Sequence, residues 1–88
     1  MKKSVFVLLA ALVAVPAFAG AKCEKHPQNE WMPKEKLQAQ LQQQGYTIKK
    51  FKVDGNCYEM YGHTRDGKKA EIYFDTKTGQ PVKSEISK

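Results

Sequence analysis

The alternation of apolar and polar residues between Tyr46 and Asp75 predicts three β-strands joined by two tight turns. With Gly55-Asn56 as the turn of the first hairpin, Val53 faces Tyr58, Phe51 faces Met60 and Lys52 faces Glu59. With Arg65-Asp66-Gly67 as a three-residue loop closed by a left-handed Gly67, Tyr58 faces Phe74, Met60 faces Ile72 and Gly62 faces Ala70. This register gathers Phe51, Val53, Tyr58, Met60, Ala70, Ile72 and Phe74 on one side. A two-residue Asp66-Gly67 turn pairs Met60 with Tyr73 instead and sends one strand's apolar residues to the wrong face. Tyr46 and Ile48 differ in parity from Phe51 and Val53, so a β-bulge is expected at Lys49-Lys50.

Before the strands, Pro33 suits the first position of a helix, and 34–44 holds strong helix formers up to Gly45, a natural stop. Its apolar positions Leu37 and Leu41 lie four apart on one narrow face, with a Gln-rich solvated flank. So narrow a stripe needs the sheet beneath it. After Asp75, Thr76-Lys-Thr-Gly79 reads as a turn. The segment from Gln80 to Ile86 adds a fourth strand, with Val82 inward near Ile72 and Pro81 confining the strand to the sheet edge. The expected architecture is α+β: one amphipathic helix packed on a three- to four-stranded antiparallel β-meander.

The first nineteen residues have a different pattern. Lys2 and Lys3 precede an apolar run from Val5 to Val15, and Ala17-Phe-Ala19 forms an A-x-A site. A run of eleven is short of the ~20 residues a membrane span needs. The segment reads as a cleaved signal peptide, 1–19, followed by an N-terminal arm, 20–32, and the α+β domain, 33–88. The expected location is periplasmic or secreted, with no stable membrane insertion after cleavage. Removing Lys2 and Lys3 lowers the formal net charge from +6 to +4. That excess is spread along the chain, whereas nucleic-acid binding calls for a concentrated basic stripe.

Cys23 and Cys57 are the two cysteines of the chain. An oxidising compartment and an even count point to one disulfide between them. Closing that loop is worth about 4 kcal/mol on the chain-entropy estimate, a large share for so small a core. Together with His26 and His63 the cysteines also suggest zinc. However, Cys57 and His63 are six residues apart along one strand, roughly 20 Å at ~3.3 Å per residue, and cannot share an ion. No metal or cofactor is expected, and both histidines read as surface residues. Ser84 and Ser87 lack an elbow or a placed base. Glu59 and Glu71 read as cross-strand partners of Lys50, Lys52 and Lys69. No catalytic constellation emerges.

The helix, Gly45-Tyr46, Asp54-Gly-Asn-Cys57-Tyr58-Glu59, Asp66-Gly67, Glu71-Ile-Tyr-Phe-Asp75 and Thr78-Gly79 together resemble the small secreted PepSY-like domains. The resemblance spans about residues 31–82. It implies one helix on an antiparallel sheet and a non-enzymatic binding module, restraining secreted peptidases or chaperoning their folding. The surface available for such a role is the sheet's outer face, where Lys50, Lys52, Glu59, Tyr61, His63, Lys69, Glu71 and Tyr73 should stand. A protein or peptide partner in the envelope would meet that face or a sheet edge. The competing reading is a structural envelope protein held by its positive charge to anionic cell-wall or membrane surface.

Overall fold

The structure, a computed structural model, describes residues 20–87; the expected signal peptide lies outside them. The described elements are a 3₁₀ turn at Gln28–Glu30, the helix α1 (Lys34–Gln43), and the strands β1 (Thr47–Asp54), β2 (Cys57–His63), β3 (Lys69–Asp75) and β4 (Pro81–Ser87). The four strands form one antiparallel sheet in the order β1-β2-β3-β4. Among the described residues no helix is long and apolar enough to cross a membrane.

The register matches the expected one. Phe51 pairs with Met60, Val53 with Tyr58, Tyr58 with Phe74, Met60 with Ile72 and Gly62 with Ala70. The irregularity in β1 falls between Ile48 and Lys50, so Lys49 is the extra residue of the bulge. Gly62 faces this point, and a Cβ on it would lie 1.9 Å from the Thr47 carbonyl oxygen. Only glycine lets the two backbones come so close. Gly67 has φ 87° and closes the second hairpin, where the Thr64 amide donates to the Lys68 carbonyl and the Gly67 amide to the Thr64 carbonyl.

Helix α1 starts one residue later than its composition suggests. Pro33 is the N-cap, still extended at ψ 135°, and Lys34 is the first helical residue. At the other end Tyr46 N–H donates to Leu41 C=O and Gly45 N–H to Gln42 C=O, with Gly45 at φ 100°. This pair of bonds is the Schellman closure, which satisfies carbonyls the helix leaves open.

Leu37 and Leu41 bury against Tyr58, Met60, Ala70, Ile72 and Phe74, with Trp31, Met32, Tyr46, Ile48 and Phe51 packed around them. Each fully buried aliphatic side chain contributes about 1.5–3 kcal/mol. The core is framed by aromatic contacts, since Trp31 meets Tyr58 edge-on at 5.5 Å and Phe51 lies 5.3 Å from the same ring. Tyr58 Oη donates to the Met32 carbonyl at 2.6 Å, which fixes the chain just ahead of the helix.

Two expectations about this face need correction. Val53 shares the apolar side with Phe51 but is 53% exposed. Val82 does not oppose Ile72: Ser84 does, and a second register shift places Pro81 across from Phe74. Val82 and Ile86 are 46% and 45% exposed. For Val82 and Ile86 the reason is reach. The short helix lies closest to β1, so the β4 margin extends beyond it.

Candidate functional site: the outer face of the sheet

Strand pairing arranges the face away from the helix in rows. Lys52, Glu59, Tyr73 and Lys83 form one row; Lys50, Tyr61, Glu71 and Glu85 form the next; Thr47, His63, Lys69 and Ser87 form the last. Every residue expected on this face is in these rows. Side-chain contacts bind the rows together. Lys52 Nζ lies 3.8 Å from Glu59 Oε1 and 5.8 Å from the Tyr61 ring centroid, and Tyr73 Oη donates to Glu71 Oε2 at 2.9 Å. Lys83 Nζ pairs with Glu85 at 3.6 Å and stands 6.0 Å over the Tyr73 ring.

The face is only partly open. Glu59 is 1% exposed and Tyr73 is 6% exposed, so neither offers the wet contact surface expected of it. The N-terminal arm explains part of this. A Cys23–Cys57 disulfide joins the arm to the row above Glu59, and Gly20 sits so close that a Cβ there would lie 2.8 Å from Asp54 Oδ2 and 3.4 Å from the Tyr73 ring. The arm therefore roofs one end of the outer face. At the other end an open depression of about 740 Å³ is lined by Tyr61, His63, Lys69, Glu71 and Glu85 among others.

Burial changes the chemistry of the carboxylates. Glu59 Oε2 is buried without a hydrogen-bond partner. Burial first, and the neighbouring Glu71 second, push the Glu59 carboxyl above its ordinary range. Glu71 moves the opposite way, held down chiefly by Glu59, with the Tyr73 and Tyr61 hydroxyls helping. Both tyrosines are raised. For Tyr61 the main cause is hydrogen bonding to Glu59 and then Glu71, and for Tyr73 it is burial. The expected cross-strand pairing of Lys52 with Glu59 is present, but Glu59 is buried rather than exposed and interacts with Glu71, with the phenols of Tyr61 and Tyr73 beside the two carboxyls.

A raised folded-state pKa means that Glu59 favours folding most below the ordinary carboxylate range and less as pH rises through its folded value. Glu59→Gln is therefore expected to raise the thermal midpoint at pH 7 while leaving it unchanged near pH 3. Thermal melts across that range check this, and a lower midpoint at pH 7 would show that the Lys52 contact outweighs burial.

The histidines part company. His63 stays in the last row, half-buried. His26 is no free surface residue: its Nε2 lies 2.9 Å from Asp75 Oδ1, and its backbone carbonyl accepts from Trp31 Nε1 at 2.9 Å. Asp75 Oδ2 accepts from the Lys77 and Thr78 amides and from the Thr78 hydroxyl. Burial raises the Asp75 carboxyl, but the Thr78 amide, His26 and the Lys77 amide outweigh it and hold it down at about 2. Glu24, His26 and Asp75 bring ligand-type atoms within 4.8 Å of one another. The hydrogen bonds already made by His26 and Asp75 define this group as a clasp between the arm and the β3–β4 turn. An aspartate three residues before Thr78-Gly79 is a turn signal in its own right; its tie to His26 has none. Cys23 and Cys57 spend their sulfurs on each other.

One short helix across an open antiparallel sheet, with an arm bonded over the far side, defines a small two-layer α+β domain. The family model described as peptidase propeptide and YPEB domain matches residues 3–85, and the chain belongs to this PepSY family. No curated protein and no solved structure matches it.

Proposed function

We propose that this chain is an exported, non-catalytic binding module that restrains a secreted peptidase or chaperones its folding. Membership of a family named for peptidase propeptides supports the peptidase-directed role. The observation that carries the choice of surface is the unroofed end of the outer face. There Tyr61, His63 and Glu71 border a depression while Lys50 stands exposed beside Tyr61 on the β1 edge and Lys52 beside Glu59. Aromatic and charged side chains on a rigid strand are well suited to a protein contact. Glu59 and Tyr73 serve that surface from beneath, by fixing Lys52 and Glu71.

The test is peptidase activity in the host's own envelope and secreted fractions, with and without micromolar chain. Inhibition is expected, and the double substitution Tyr61→Ser, His63→Ser should weaken it about tenfold, as loss of a central contact does. If no peptidase is inhibited or retained, the reading fails. Binding to envelope material that ignores these substitutions and disappears at high salt would favour the anionic-surface alternative, because exposed charges are screened there.

A further inference from the structure

We infer that the β4 edge is a self-association surface, through which two copies of the chain pair antiparallel about Ser84. The two margins of the sheet differ. The β1 margin carries Lys49, Lys50 and Lys52, all exposed, and a bulge in mid-strand, the devices by which an edge resists pairing. The β4 margin runs regularly from Lys83 to Ser87; its irregularity lies at the other end, where Val82 is the extra residue between Lys83 and Pro81. Its outer side borders no other strand of the sheet.

The sequence of β4, Pro-Val-Lys-Ser-Glu-Ile-Ser, is complementary to itself in one register. With Ser84 of one copy opposite Ser84 of the other, Lys83 of each copy meets Glu85 of the other on the outer face. Val82 of each then meets Ile86 of the other on the helix side. Both side-chain types therefore match at once. A two-fold contact requires this reciprocity, since residue i must meet j and j must meet i. Shifting either strand by one residue destroys it, because opposing side chains would then come from different faces.

The structure supplies what such a contact needs. Val82 and Ile86 are nearly half exposed and lie where the helix does not reach. Lys83 and Glu85 already share the outer face, 3.6 Å apart, so pairing would extend that contact into a four-membered alternation of charge. Opposite charges placed directly across strands stabilise pairing, and like charges oppose it. The two-fold axis would pass through the sheet, which leaves both helices on one side and both outer faces on the other. The product is a continuous sheet of twice the four strands present in one copy. This inference does not depend on the peptidase reading: Glu85 also borders the outer-face depression, but the readout is association of the chain with itself and not inhibition of a peptidase.

Sedimentation velocity on the disulfide-bonded chain at low salt, from micromolar to ~1 mM, is the test. One strand is a small contact, so a weak and rapidly exchanging dimer is expected. Lys83→Glu and Glu85→Lys should each weaken it about tenfold or more, because two attractive pairs become repulsive. The double variant should recover it. An equimolar mixture of the two single variants should associate, although each alone is monomeric. A wild-type chain that stays monomeric at ~1 mM, single variants that dimerise like wild type, or a mixture that fails to associate would each overturn the pairing. Circular dichroism of the variants confirms that each remains folded.

Discussion

Breaking the Cys23–Cys57 bond, by reduction or by the double substitution Cys23→Ala, Cys57→Ala, is expected to lower folding stability by about 4 kcal/mol. The bond spans 34 residues, and the chain-entropy relation gives that magnitude for a loop of this length. The loss is large because a domain this small buries little else. It should also have a chemical signature. Once the arm is freed, water reaches Glu59, and the pH dependence attributed to its burial should fade. Urea unfolding with and without reductant measures the first effect, and repetition across pH measures the second. A loss below about 1 kcal/mol, set against the usual cost of removing a native disulfide, would show that the arm is dispensable.

Met60→Asp is expected to unfold the domain. Met60 is fully buried, lies between Phe51 and Ile72 across the sheet, and belongs to the cluster beneath the helix. An unpaired carboxylate there and the lost packing of a fully buried side chain together cost roughly 6–9 kcal/mol, which exceeds what a chain of this size holds in reserve. Tyr61→Thr, one residue on, should keep the fold at a cost of about 1 kcal/mol or less, since its side chain points the other way and threonine suits a strand. Far-ultraviolet circular dichroism separates the two outcomes. Comparable losses at both positions would mean that the strand faces are assigned the wrong way round.

These two variants test what was most legible in the sequence. Strand alternation has a period of two, so one correctly chosen turn determines the facing of a whole strand. Gly55-Asn56 and Gly67 therefore settled the register of Phe51, Met60, Ile72 and Phe74, and parity alone located the bulge beside Lys49. The register of the fourth strand depends on an irregularity beside Pro81 that no parity break announces, so alternation alone sets Val82 against Ile72 where the structure has Ser84. The candidate face was legible in membership but not in exposure. Local pattern says on which side Glu59 and Tyr73 stand. Whether they are covered depends on where a segment more than thirty residues away is bonded. His26 belongs to the same class, since its partner Asp75 is 49 positions distant.

The plain succession of strands, each lying beside its chain neighbour, bears on how fast the molecule assembles. With short reversals and no crossover, the average contact spans few residues, and chains of that kind cross their barrier quickly. The sheet and its helix should form well before the slow oxidation of two thiols held far apart in sequence. The covalent tie then secures a body already shaped, rather than guiding the search for it.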